Sequence, residues 1–190
     1  WAPNVAVARE RLAPLGITVV PYEAAPDNVD QRDDDRRARL PFATESFELV
    51  VSRHEAFVAR EVHRVLVPGG RFLTQQLGGS RYDGLRRDLG LPPSERTEWT
   101  LELAVAQLER ASLRVVESGG TEVVTLFADV GALAWFLRAA PWVVPELSLD
   151  EHREALAELH RRIAVEGPYE VRERSFWIEA VRDPASRAGG

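Results

Sequence analysis

Four consecutive polar residues, Ser52-Arg53-His54-Glu55, follow an apolar run at positions 47–51. A histidine side chain can take up or release a proton near neutral pH, so His54 is a candidate general base toward a hydroxyl or an amine. Arg53 could hold a carboxylate or a phosphate through a two-point contact. A purely structural interpretation is also open, in which Arg53 and Glu55 form a surface pair and His54 packs at a helix start.

The surrounding residues predict a strand–helix–strand unit that positions this cluster. The apolar run 47–51 is typical of a strand, Pro68-Gly69-Gly70 ends the helix that follows, and residues 71–75 form the next strand. The apolar stripe of the helix consists of Val58, Val62, Val65 and Leu66. The connection is too long for a hairpin, so we expect parallel strands and a right-handed crossover. Ligands bind beyond the carboxyl ends of such strands, where Gln75 and Gln76 either line the same crevice or are simply polar strand-end residues.

Composition limits the classes of partner. The chain has 190 residues, enough for one domain with a sizeable core, and its net charge of −6 argues against nucleic acid as the main partner. It contains no cysteine, which excludes disulfides and thiolate metal sites, and His152 and His160 lie eight positions apart, too far for a helical metal pair. No apolar run approaches the length of a membrane span. We therefore expect a cytoplasmic protein with a small-molecule substrate, no membrane partner and no metal, and nothing in the sequence indicates its oligomeric state.

The stretch 40–77 resembles a known family. Leu40-Pro41-Phe42, an acidic turn, FELVVS, an amphipathic helix and VLVPGGRF are similar to the fourth strand, fourth helix and fifth strand of class I S-adenosylmethionine-dependent methyltransferases, closest to the methyltransferase type 11 group. The resemblance implies an α/β, Rossmann-like sheet, mostly parallel with an antiparallel last strand. It also implies S-adenosyl-L-methionine as cofactor and an oxygen, nitrogen or carbon of a small molecule as methyl acceptor. The alternative is a generic strand–helix–strand unit of another Rossmann-like protein.

The resemblance also suggests residues that bind the cofactor. Ser52 and Arg53 would lie beside it at the end of the fourth strand. In the family an acidic residue after the third strand lies beside the adenine amino group, and Glu23 matches that position, while Asp35 competes because it lies nearer to Leu40. By composition alone, the charged stretch 23–39 is a solvated loop with balanced charge.

The sequence contains no G-x-G-x-G turn and no methionine, not even at position 1. In the family the glycine-rich turn would precede Trp1, so we expect an N-terminally incomplete, truncated methyltransferase. Its unpaired sheet edge would make the chain poorly stable or self-associating. The alternative is a non-catalytic methyltransferase-like protein, or an incomplete gene product, that binds no cofactor. A nucleotide-dependent oxidoreductase would need a dinucleotide fingerprint, which is also absent.

Periodicity and capping residues predict the remaining elements of a single domain over residues 1–182, followed by a tail at 183–190. We expect a helix over 1–16 ended by Gly16, a strand at 17–20 and a helix capped by Thr100. A strand at 113–117 and a turn at 118–120 should follow, and residues 121–127 are either a strand extension or a hairpin arm. The last elements are a helical insert at about 128–166, with helices starting after Asp129 and at Ser148, and a last strand at 175–181.

Trp135 and Trp142 belong to an aromatic patch inside the helical insert. One interpretation is core packing between its helices. The other follows from the resemblance, because inserts before the last strand often cover the acceptor substrate in that family. Trp135 and Trp142 are therefore candidate substrate-binding residues together with Gln75.

Overall fold

A computed structural model describes residues 2–22, 28–29, 39–80, 82–94 and 98–184 of the chain. Within these ranges the strands are β1 (Phe47–Arg53), β2 (Leu66–Leu77), β3 (Leu113–Phe127) and β4 (Tyr169–Arg182). The α-helices are α1 (Ala2–Leu12), α2 (Ala59–Val65), α3 (Asp83–Asp88), α4 (Leu101–Arg110), α5 (Val130–Ala139) and α6 (Arg153–Glu166). A 3₁₀ turn, Ala13–Leu15, follows α1. Among the described helices, none combines the length and the apolar character that crossing a lipid bilayer requires.

The four strands form one mixed sheet in the order β1-β2-β4-β3. β1 and β2 are parallel, with Val51 paired to Leu73 and Arg53 to Gln75. β4 is antiparallel to both of its neighbours. β1, β2 and β3 therefore run in one direction and β4 in the other, which confirms the expected mostly parallel α/β sheet with an antiparallel last strand.

Two hydrophobic cores lie on opposite faces of β4. The first contains Phe176 and Ile178 and is covered by α2 and α4. The second contains Tyr169 and Val171 and is covered by α3, α5 and α6. Side chains alternate between faces along a strand, so odd-numbered residues are buried at one end of β4 and even-numbered residues at the other. Ser175 and Phe176 are consecutive and both buried, which marks where the buried face changes. We call the second core with its three helices the cap.

The odd-numbered face of the sheet is open next to β1. Val51 is 64% exposed, and Leu49, Leu73 and Trp177 on the same face are also exposed. In the part of the chain that the structure describes, β1 pairs only with β2, so its other edge is free. A free edge beside exposed apolar side chains is a surface on which other groups can pack.

Several capping predictions are confirmed. Gly16 ends the first helical segment with φ of 73°, in the left-handed region that suits glycine. The Thr100 side chain accepts a hydrogen bond from Leu103 N (3.3 Å), and the Asp129 side chain accepts one from Ala132 N (2.7 Å). These are the bonds that satisfy unpaired N–H groups at a helix start.

The strand predicted at 17–20 is wrong, since residues 17–22 have no regular structure. Its apolar residues favour a strand locally, but a strand also needs a neighbour to satisfy its backbone groups. The turn predicted at 118–120 is wrong as well, because β3 continues through it and Gly119 pairs with Trp177. A Cβ at Gly119 would lie 2.9 Å from the indole nitrogen of Trp177, so this glycine allows close approach rather than a turn.

Two helix boundaries also differ from the prediction. α2 ends at Val65 and β2 already begins at Leu66, because the extended backbone of Leu66 leads directly into the strand before Pro68 is reached. α6 begins at Arg153 rather than at Ser148. The Ser148 side chain does accept a bond from Glu151 N (3.4 Å), but this bond closes a turn that precedes the helix.

Candidate functional site

The candidate site is a turn at the carboxyl end of β1. His54 has φ of 57°, the left-handed region that few residues other than glycine adopt. Its backbone N–H donates to the carbonyl of Gln75 (2.8 Å). The carbonyl of Glu55 accepts from the Ser52 hydroxyl (3.1 Å) and from the Gln76 side chain (3.0 Å). The turn is thus tied to the end of β2 on both sides of His54.

The structure brings four of the predicted site residues together at this end of the sheet. Arg53 and Gln75 are register partners on β1 and β2, and the Arg53 Nε donates to the Gln75 side chain (3.0 Å). The Ser52 hydroxyl makes one of the turn hydrogen bonds described above, and Ser52 precedes His54 by two positions in the chain. Arg53 keeps its remaining guanidinium N–H groups on an exposed surface, where they can meet an anionic group.

The other predicted site residues are not part of this cluster. Glu23 and Asp35 lie outside the described residues. Trp135 is 72% exposed and Trp142 is 69% exposed, so core packing does not explain either side chain. Trp135 lies on α5 of the cap, and Trp142 lies in the segment that joins the cap helices α5 and α6.

A groove of about 360 Å³ runs beside the turn, between the free edge of β1 and helix α2. Its walls are mostly apolar, and its polar contributions come from Ser52, Glu55, Glu61 and Tyr22. Apolar lining residues include Leu40, Phe42, Leu49, Val50, Val51, Phe57 and Val62. An apolar cleft with a few polar groups is the usual setting for a small organic ligand.

One wall of the groove is held in place by an ion pair on α2. Glu61 accepts from Leu40 N (2.8 Å) and from Arg64 (2.7 and 2.9 Å). Arg64 also donates to the carbonyls of Leu40 (3.0 Å) and Phe42 (2.8 Å). Burial alone would raise the pKa of Glu61, but the hydrogen bonds from Arg64 and Leu40, with the positive charge of Arg64 and Arg39, hold the pKa below its usual value.

Sequence reasoning missed Glu61, Arg64 and Asn28. The side chain of Asn28 accepts from Phe57 N (3.2 Å), and its carbonyl accepts from Gln107 on α4 (2.7 Å). Asn28 thereby lies against the loop that follows the His54 turn. The spacing of Glu61 and Arg64 does predict an ion pair on a helix, but no local pattern indicates that the backbone of residues 40–42 forms hydrogen bonds with this pair.

The sequence matches no family model and none of the curated proteins. Solved structures do match. A candidate methyltransferase from Bacillus halodurans is 19% identical over 94% of this chain and 78% of that chain, with a TM-score of 0.57. The YcgJ protein of Bacillus subtilis is 19% identical over 95% of this chain and 79% of that chain, with a TM-score of 0.54. The chain therefore has the fold of the class I S-adenosylmethionine-dependent methyltransferases.

Proposed function

We propose that the chain binds S-adenosyl-L-methionine beside the turn at the carboxyl end of β1 and transfers its methyl group to a small-molecule acceptor. The observation that carries this proposal is the turn with the left-handed backbone of His54. Ser52 and Glu55 of this turn line an apolar groove, and the turn lies at the carboxyl end of a strand, where α/β sheets usually bind ligands. Among the described residues, the non-glycine residues Glu45 and Ser112 also have positive φ, so the support comes from where the His54 turn lies, at the carboxyl end of β1, and from the bonds that hold it there.

The lining of the groove fits part of this cofactor. Leu40, Phe42 and Leu49 offer apolar surface to a flat adenine ring, and Ser52 and Glu55 offer polar groups at its end. Ser52 and Arg53 are the proposed cofactor contacts among the described residues. Glu23 and Asp35 remain the two alternative proposals for the residue beside the adenine amino group. The bound cofactor supplies a methyl group activated by a sulfonium sulfur.

Residues of the same turn can serve the acceptor. We assign His54 as the base that would accept a proton from a hydroxyl or an amine. Gln75 and the exposed Trp135 and Trp142 of the cap are the proposed acceptor contacts. Methyl transfer depends strongly on alignment of donor and acceptor, so the fixed backbone of the turn matters as much as the imidazole itself.

Calorimetric titration of S-adenosylhomocysteine, the demethylated cofactor, into the purified chain tests the site. Val51 lines the groove and is largely exposed, so Val51→Arg should fold and weaken binding at least tenfold by blocking the cleft. Val116→Arg is the matched control, because it introduces the same charge at another exposed valine of the sheet, on β3. Equal affinities of the Val51→Arg variant and the wild type would place the site elsewhere.

A second candidate function is a methyltransferase-like protein that binds no cofactor. The observation that favours it is the lack of a G-x-G-x-G turn anywhere in the 190 residues. No binding of S-adenosylmethionine or S-adenosylhomocysteine by a chain that unfolds cooperatively would support this candidate. Product formation with labelled S-adenosylmethionine and a mixture of hydroxyl and amine metabolites would exclude it.

A further inference from the structure

We infer that Gln76 is a positioning residue, whose side chain holds the His54 turn in its left-handed conformation. This inference rests on the function proposed for that turn. Gln76 lies near the carboxyl end of β2 and is only 2% exposed. Its side-chain nitrogen donates to the carbonyl of Glu55 (3.0 Å) and to the hydroxyl of Thr74 (2.8 Å). Both N–H groups of the amide are therefore used, one of them on the turn.

The turn needs such support because its backbone is unfavourable for histidine. A left-handed residue brings its Cβ too close to the following carbonyl oxygen, so His54 would relax to negative φ if the turn were free. Three hydrogen bonds oppose this relaxation: His54 N to the Gln75 carbonyl, and the Ser52 and Gln76 side chains to the Glu55 carbonyl. Among the side chains in these bonds, Gln76 is the buried one, and a bond shielded from water is the harder to replace.

Relaxation of this turn would move the groups proposed for chemistry. His54 and Glu55 are adjacent, so a rotation that frees the Glu55 carbonyl also redirects the imidazole and the polar end of the groove. Gln76 itself is absent from the groove lining and acts only through the turn. A residue with this role should affect the order of the turn more than the stability of the whole sheet.

Amide hydrogen exchange followed by NMR tests the role of Gln76 without any ligand. Gln76→Leu keeps the approximate size of the side chain and removes the donor, so the His54 amide should exchange about tenfold faster, the factor expected for loss of one buried hydrogen bond. Ser175→Ala is the matched control. It removes a buried hydrogen bond of similar length (3.1 Å), which the Ser175 hydroxyl donates to the Gln76 carbonyl, but it leaves the turn bonds intact.

A second comparison separates positioning from simple core packing. Glycine adopts the left-handed region without strain, so in a His54→Gly background the Gln76→Leu substitution should accelerate exchange at position 54 by less than threefold, against about tenfold in the wild type. A role in packing alone would give the same factor in both backgrounds and would overturn the inference. The inference would also be overturned if Gln76→Leu accelerated amide exchange equally at position 54 and at the central residues of β2.

Titration with S-adenosylhomocysteine completes the test. Gln76→Leu should weaken its binding several-fold, while Ser175→Ala should not. If the wild-type chain binds no S-adenosylhomocysteine, the proposed function fails, and the exchange comparison alone still decides whether Gln76 holds the turn.

Discussion

Replacing Glu61 by glutamine perturbs the wall of the groove with almost no change in shape. Glu61 is 8% exposed and its carboxylate accepts hydrogen bonds from Leu40 N and from two nitrogens of Arg64. Glutamine keeps one acceptor oxygen, but it loses the negative charge and turns an NH₂ group toward these donors. The Arg64 guanidinium then lacks its counter-charge.

The expected cost is about 2 kcal/mol of unfolding free energy. A hydrogen bond to a charged group contributes about 1.5–3 kcal/mol, and removing one partner of a fully buried pair costs about 3–5 kcal/mol. The lower part of this range applies because Arg64 is partly exposed and keeps its bonds to the carbonyls of Leu40 and Phe42. Urea unfolding followed by circular dichroism measures the difference.

The penalty should also depend on pH. Since the folded state holds the pKa of Glu61 below its ordinary value of 4.5, the Glu61 carboxylate stabilises the fold above about pH 4.5. This contribution is lost as the pH falls through the lower, folded-state pKa. The difference between wild type and Glu61→Gln should therefore be constant near neutrality and shrink in stronger acid.

Glu158→Gln is the control for this experiment. Glu158 and Arg161 on α6 have the same spacing as Glu61 and Arg64, but both side chains are mostly exposed. Their pair should contribute less than about 0.5 kcal/mol. A penalty for Glu61→Gln as small as that of the control, or one that does not change with pH, would refute the reasoning.

Three further outcomes are expected. Burial and a nearby arginine lower the pKa of His63 below 6.5, so the unfolded state binds a proton before the folded state does, and the free energy of unfolding decreases as the pH drops below about 6.5. In urea unfolding, His63→Gln should make this decrease smaller. Near pH 8 the pH dependence of the variant should equal that of the wild type. Gly119→Ala should displace the indole of Trp177 and lower the free energy of unfolding by about 1 kcal/mol. The substitution should change tryptophan emission when it is made in the wild-type chain, but not when it is made in a Trp177→Phe background. Leu159→Ala, at a site 1% exposed in the cap, should cost about 2–5 kcal/mol in thermal or urea unfolding, whereas Val165→Ala, 85% exposed on the same helix, should stay within about 0.5 kcal/mol.

The sequence was sufficient to predict the β1–α2–β2 unit and the helix starts at Thr100 and Asp129. These features depend on local patterns, namely apolar periodicity and a side-chain oxygen next to unpaired N–H groups. The strand expected at 17–20 failed for the opposite reason, because a strand forms only where another strand accepts its hydrogen bonds. The turn predicted at 118–120 failed for the same reason, because the role of Gly119 is set by Trp177, which lies on the neighbouring strand β4 but far away in the sequence.

The candidate site shows the same division. The grouping of Ser52, Arg53, His54 and Gln75 was predictable because parallel strands end together at one edge of a sheet. The left-handed backbone of His54 was not, because histidine favours other conformations and the turn is held by bonds from β2. Asn28 was missed because its contacts join segments far apart in the sequence.

The change of buried face at Ser175 and Phe176 constrains how insertions and deletions can alter this protein. Residues 175–181 of β4 pair with both β2 and β3, whereas residues 169–174 pair with β3 alone. One residue inserted at positions 172–174 would keep the register with β2, but it would shift the pairing of residues 169–171 with β3 and turn Tyr169 and Val171 away from the cap helices. Two inserted residues would restore the faces and, with two matching residues in β3, which leads into α5, move the cap by about 6–7 Å along the strand. The cap can therefore shift outward relative to the sheet only in steps of a full pleat, so length variation in this part of β4 should occur in pairs of residues.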